Sequence, residues 1–240
     1  MPLSYHFFKV ASFPPQPAFE TEEQLTLFDN DEQNMEVVST RVTFVKAIEA
    51  HSLKKFDVMH DFLVKLKYPA RARKVTFREY VSPYSFPVYL QEGSGEPDIN
   101  LLVQTKSAVA KDFVERLNGR LPTFSVRSIS VDFDILRPLI PSVSGAWFSE
   151  MQASNLSSAG VFGSHVDKSN EFQHAELIGK LKALICPYVI EGVTFTVMIT
   201  EDAGVVMYNN FETEIDSLSV VMDLKRNLLD KATRKEASHS

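Results

Sequence analysis

Between residues 157 and 210 the chain falls into four strand-length apolar runs, at 157–166, 184–190, 193–200 and 205–210. Runs this short and this closely spaced close most simply as neighbouring antiparallel strands, a β-meander. The last two are joined by Glu201-Asp202-Ala203-Gly204, a tight turn in which glycine supplies a permissive backbone. The spacing then changes to that of a helix. Over 215–229, Leu218, Val221, Met222, Leu224 and Leu228 share one helical side, and the polar tail TRKEASHS forms a frayed end. This region predicts the α+β class: a mixed or antiparallel sheet with a C-terminal β-meander and packed helices.

The upstream half is read in the same way. Residues 4–10 alternate aromatic and polar side chains like a strand, and SFPPQP then stops regular structure because its prolines remove donors. Residues 11–36 are expected to be a linker or mobile acidic arm. Over 56–67, Met59, Phe62, Leu63 and Leu66 recur at spacings of three and four, which predicts a helix. A strand is expected at 74–81, with Pro83 and Pro87 putting the next segment at a sheet edge, and QEGSGEPD forming a turn. The segment 99–104 reads as a buried strand feeding a helix over 107–117 that stops at Asn118-Gly119. Residues 123–133 read as a long strand with a bulge. Trp147, in an apolar cluster with Ala146 and Phe148, is expected in the core. The expected organisation is an N-terminal strand and acidic arm (1–36), one α+β domain (37–232) and a disordered tail (233–240).

Composition matters chiefly through charge. The net charge is −6, which by itself argues against broad nucleic-acid binding. Its distribution is uneven. Between residues 10 and 40 there is no Lys or Arg, and Glu20, Glu22, Glu23, Asp29, Asp31, Glu32 and Glu36 are all negative. Between 41 and 78 ten basic residues face only Glu49, Asp57 and Asp61. Lys65, Lys67, Arg71, Arg73, Lys74 and Arg78 succeed one another without an intervening acid, the kind of cluster that neutralises phosphates. No apolar run approaches the roughly 20 residues that cross a bilayer, and MPLSYHFFKV lacks the layout of a secretory signal, so a cytoplasmic protein without membrane contact is expected. The single cysteine, Cys186, lies in the apolar run ALICPYVI and reads as a small buried thiol.

Three groups of residues bear on function. Gln24-Leu25-Thr26-Leu27-Phe28 resembles the Gln-Leu-x-Leu-Phe pentapeptide by which bacterial polymerases, mismatch-repair proteins and other replication factors bind the DNA sliding clamp. In that mode Leu27 and Phe28 enter an apolar groove, Leu25 adds burial and Gln24 bonds at the rim. Thr26 stands where Ser or Asp is usual. Glu79, Asp98, Gln104 and Lys106, just ahead of a helix, are similar to the layout of metal-dependent PD-(D/E)xK nucleases, where clustered carboxylates hold a divalent ion. Gln104 departs from that pattern, because it stands where a carboxylate belongs. His165, Asp167, Glu171, His174 and Glu176 have metal-binding side chains but no defined ligand spacing.

No glycine-rich phosphate loop, nucleophile elbow or paired Cys-x-x-Cys is present in the sequence, so no catalytic residue, metal or cofactor is assigned. The expectation is a non-enzymatic accessory protein acting near DNA in repair, replication control or phage defence. Its expected partners are the sliding clamp, through Gln24 to Phe28, and DNA, through the 65–78 cluster. A metal-dependent nuclease and a protein–protein adaptor in a larger complex are the alternatives.

Overall fold

The computed structural model describes residues 2–26, 35–72, 75–91, 100–153 and 155–233. In chain order the strands are β1 (Leu3–Ser12), β2 (Ala18–Thr26), β3 (Met35–Ile48), β4 (Leu53–Ala72), β5 (Val75–Gln91), β6 (Leu101–Val103), β7 (Ser125–Ser128), β8 (Gly145–Ala153), β9 (Leu156–Phe162), β10 (Lys180–Ile190), β11 (Val193–Thr200) and β12 (Gly204–Met207). The helices are α1 (Ser107–Arg120), α2 (Phe133–Leu136), α3 (Asn170–Ile178), α4 (Glu214–Leu224) and α5 (Asp230–Ala232). The class is α+β. Two compact units hold these elements: one takes the described residues of Met1–Lys9 and Ser128–Ser240, the other those of Val10–Gly95 and Asn100–Arg127.

In the first unit the strand order is β1-β12-β11-β10-β8-β9. Three of the four expected meander strands close as β10-β11-β12, with Ile190 facing Val193 and Val197 facing Met207, whereas the first, β9, pairs with β8 and not with β10, because β8 takes that edge of β10. Leu184, Cys186, Val197, Ile199, Val205 and Met207 are fully buried, as the two-residue period requires of one sheet face. In the turn after β11 the positive φ falls on Ala203, at 54°, while Gly204 answers a need for space. A Cβ there would lie 2.6 Å from Thr200 Oγ1 and 2.7 Å from His6 Cε1.

Helix α4 starts at a capping box, in which the Thr213 hydroxyl accepts from Asp216 N–H and the Asp216 carboxylate accepts from Thr213. Tyr5 Oη and Ser217 Oγ share a buried hydrogen bond of 2.9 Å. Tyr188 donates to Asp223 at 2.6 Å. The helix widens into a π-helical stretch over Lys225–Leu229, where the buried Lys225 ammonium meets both oxygens of Asp230 at 3.0 Å. Burial pushes the Cys186 thiol up to about 12, leaving almost no thiolate at neutral pH, which makes it a packing residue and not a nucleophile.

Two expectations change in this unit. Trp147 is not core: on β8 its neighbours Ala146 and Phe148 point inward, so alternation turns the indole outward, edge-on to Phe162 at 5.5 Å. The strand expected over 123–133 is confined to Ser125–Ser128, because the Asp132 carboxylate caps the N–H of Asp134 and starts α2.

Glu201 anchors a charge cluster, accepting from Lys180 at 2.6 Å and Lys182 at 2.8 Å. Burial alone would raise its carboxyl, but the two lysine hydrogen bonds outweigh that and hold it below the ordinary value of 4.5. Its stabilising contribution is therefore complete above that value and is lost as pH falls below it. Glu201→Gln is expected to flatten the acid side of the stability profile, measured by thermal melts between about pH 6 and about pH 3.

In the second unit β2, β3, β4, β5 and β6 lie side by side in sequence order, each antiparallel to the next. Val38, Val42, Val58, Val88, Leu101 and Val103 are fully buried. Helix α1 lays Val109, Phe113 and Leu117 inward, and ends where Leu121 turns extended ahead of Pro122. Asn118 is not a stop. Its amide clamps Val126, accepting from the N–H at 3.0 Å and donating to the carbonyl at 2.7 Å.

The linker expected over 11–36 is also corrected. Residues 13–17 are irregular, as the prolines require, but Ala18–Thr26 is a strand paired along its whole length with β3. Phe13 is seated among Phe19, Phe56 and Phe124 at centroid distances of 5.6, 5.1 and 5.6 Å.

The helix expected over 56–67 is strand β4. Phe56, Val58 and His60 are the buried residues, a period of two, while Met59, which the helical stripe would have buried, is 60% exposed. His60 explains the misreading: a polar side chain occupies a core position. Its Nδ1 meets Thr40 Oγ1 at 2.8 Å and its Nε2 meets Asp112 at 2.8 Å, with Arg116 on the same carboxylate oxygen at 2.9 Å.

Candidate nucleic-acid interface

The site grows from an uneven hairpin. Strand β4 has 20 residues and β5 has 17, but the ladder between β3 and β4 ends where Thr40 faces His60. Asp61 makes the fork there. Its Oδ2 accepts both the N–H and the hydroxyl of Ser39, at 2.9 and 3.1 Å, so a side chain occupies the place of the next backbone bond. Beyond it β4 and β5 continue as a two-stranded ribbon from Asp61 facing Pro83 to Ala72 facing Val75, on the order of 30 Å at strand rise.

The prolines fit this arrangement. Gln104 N–H donates to the Pro87 carbonyl, so Pro87 turns its backbone away from β4, and two-residue alternation turns Pro83 the same way. The missing proline donors therefore fall on the side where, among the described residues, β6 pairs only with Val88–Leu90, and the β4–β5 ladder loses nothing.

Cations recur along these two strands. Between residues 61 and 82 the basic residues are Lys65, Lys67, Arg71, Arg73, Lys74 and Arg78, and the acids are Asp61 and Glu79. Asp61 is spent at the fork. Lys65 faces Glu79 across the ladder, but the ammonium is 3.9 Å from the carboxylate and its side chain is 80% exposed, so the pair is weak. Between Lys65 and Ala70 the register slips: four residues of β4 stand against Arg78 alone on β5. A bulge of this kind bends a strand and re-aims its side chains. Lys67 lies in it with its ammonium 5.6 Å from the Tyr68 ring, and Tyr68 is 73% exposed. Tyr80 is exposed on β5 as well. Arg71 and Arg78 lie in the paired strands, whereas Arg73 and Lys74 lie outside the described residues.

Two of the three acids of β2 have partners elsewhere. Glu20 receives Arg41 of β3 at 2.9 Å and Glu23 receives Arg120 of α1. Glu20 and Glu23 are thus held by the body of the unit.

The pentapeptide begins on β2. Gln24 faces Val37 and is exposed; Leu25 faces Glu36 and Thr26 faces Met35, and β2 ends the strand order of its sheet. Leu27 and Phe28 lie outside the described residues.

The nuclease-like group is dispersed among other tasks. Glu79 faces Lys65, Gln104 accepts from the Tyr89 hydroxyl at 3.0 Å, and Lys106 stands 5.9 Å from the centre of the Tyr84 ring. Asp98 is outside the described residues. In the His165 group, Glu176 is bound to Arg137 at 3.0 Å, and no cluster of three or more metal-binding side chains occurs among the described residues. No described helix is long and apolar enough to cross a membrane.

Sequence reasoning missed Tyr68, Tyr80 and the fork at Asp61. The alternation of Phe56, Val58, His60, Phe62, Val64 and Leu66 was the signal for one long strand. Compared with known proteins, the chain matches no family model and no curated protein.

Proposed function

We propose that this chain is a non-enzymatic accessory protein acting near DNA, in repair, replication control or phage defence, and that the outer β4–β5 ribbon is its nucleic-acid-binding element. The observation that carries this reading is that four cations, Lys65, Lys67, Arg71 and Arg78, lie in the two strands of a ribbon on which the described acids are only Asp61, spent at the fork, and Glu79. A two-stranded ribbon fits the major groove of duplex DNA, and clustered Lys and Arg gain affinity by displacing counterions. Net negative charge over the rest of the molecule confines that attraction to the ribbon.

The tether in this reading is Gln24 to Phe28, which would dock on the sliding clamp from the outer edge of β2. Exposure of Gln24 and the absence of a described strand beyond β2 support it.

Lysine acetylation mapped by mass spectrometry, with and without duplex DNA, tests the ribbon. Lys65 and Lys67 are expected to be protected by DNA while Lys180, in the other unit, is not; equal labelling of all three with and without DNA would remove the proposal. For the tether, Leu27→Ala with Phe28→Ala is expected to abolish clamp binding and leave duplex binding unchanged.

A further inference from the structure

Two-residue alternation gives the outer ribbon two unlike sides. Phe62 faces Ser82, Val64 faces Tyr80, and in the same row His60 faces Tyr84. Phe62, Val64, Tyr80, Ser82 and Tyr84 therefore share the side on which His60 meets Asp112 of α1. None of these five is charged. The opposite side of the same stretch carries Asp61, Lys65 and Glu79.

The uncharged side continues the core face of the second unit outward. Closer in, α1 packs on it through Phe113, whose ring meets Phe86 at 5.6 Å. Further out it is open: Tyr80 is 43% exposed, and Phe62, Val64 and Tyr84 are half-buried. The rings of Phe62 and Tyr84 meet edge-on at 6.0 Å. An open apolar patch on a folded domain marks an interaction site.

Cations border the patch at both ends. At the inner end Lys106, the residue before α1, holds its ammonium 5.9 Å from the centre of the Tyr84 ring. At the outer end Lys65 follows Val64 and is 80% exposed. An apolar protein face laid here would desolvate these ammonium groups without pairing them. A single strand of nucleic acid satisfies both features, because every base has a flat face that stacks on an aromatic ring and every phosphate carries a charge.

Building on the nucleic-acid reading of the ribbon, we infer that this side takes unpaired bases, with Tyr80 as the stacking platform, so that the chain prefers DNA interrupted by a short single-stranded stretch to intact duplex. In a duplex the base faces are stacked on one another and only their edges are open in the grooves. Unpaired bases lie flat on Tyr80 while phosphates along the strand meet Lys65 on one side and Lys106 on the other.

Fluorescence anisotropy of the full chain, with a labelled intact duplex beside the same duplex carrying about four unpaired nucleotides at its centre, tests this. The wild type is expected to bind the gapped duplex about 10-fold more tightly. Tyr80→Ala is expected to remove that preference with intact-duplex affinity unchanged, which a misfolded variant would not preserve. Tyr80→Phe keeps the ring and is expected to keep the preference. Irradiation of a gap containing a photoreactive halogenated pyrimidine is expected to cross-link the peptide that contains Tyr80. Equal wild-type affinity for the two duplexes would overturn the inference and leave the ribbon reading in place, whereas binding of neither would remove both. A preference that survives Tyr80→Ala or is lost in Tyr80→Phe would overturn it, as would a cross-link confined to other peptides. DNA-free dimers that Tyr80→Ala abolishes would assign the face to a second copy and overturn it as well.

Discussion

Reversing the ribbon cations, Lys65→Glu with Lys67→Glu and Arg71→Glu, is expected to lower duplex-DNA affinity at least about 100-fold at low salt, with the fold retained and only a small drop in melting temperature from setting a second carboxylate against Glu79. Each lost phosphate contact removes close to one counterion, so the slope of log affinity against log salt should flatten by about 0.9 per contact removed. The fold should tolerate the change: Lys65 is 80% exposed, its ion pair is long, and Lys67 contacts only the ring of its own neighbour Tyr68 in the described geometry. Fluorescence anisotropy across a salt series reads both quantities. Lys180→Glu, outside the ribbon, is the matched control and is expected to bind like the wild type.

The second large effect is on stability. His60→Ala is expected to destabilise the second unit by about 3 kcal/mol, because it leaves the Thr40 hydroxyl without its partner and opens a void between Phe86 and Phe113. The figure is held down by Asp112, whose side chain is 33% exposed and can recover water when the imidazole is removed. Arg116 also keeps its hold on that carboxylate. Urea unfolding should show a lower midpoint at unchanged slope. Asp112→Asn, which preserves shape and one acceptor, should cost less.

These two predictions draw on residues that the sequence made visible to different degrees. The C-terminal meander was legible because Val193 to Thr200 and its neighbours alternate cleanly and break at polar turns. Helix α1 was legible because Val109, Phe113 and Leu117 recur on one stripe. Strand β4 was hidden by its two exceptions to alternation. His60 places a polar group on the buried face, tolerable only because Thr40 and Asp112, distant in sequence, satisfy it. Met59 places an apolar group on the exposed face. Strand β2 was hidden because its glutamates look like a solvated arm until Arg41 and Arg120 are seen to hold them. Trp147 was misplaced because its size argued for burial, whereas its position in the alternation of β8 decided the matter.

The candidate site was legible as a list of charges and not as a shape. Lys65 to Arg78 stand out in the sequence, but the place of Lys65, Lys67, Arg71 and Arg78 on a two-stranded ribbon depends on Asp61 ending the β3–β4 ladder, a side-chain event with no local signature. The bulge that presents Lys67 and Tyr68 depends on a mismatch between two strands and cannot be read from either alone.

Electrostatic binding of nucleic acid by the ribbon is tested by the salt dependence of wild-type binding to a labelled duplex of about 20 base pairs. Binding is expected at about 50 mM salt with a log–log slope between about −3.6 and about −5.4, matching about four to six phosphate contacts. No binding at that salt concentration, or binding that does not weaken as salt rises, would contradict it.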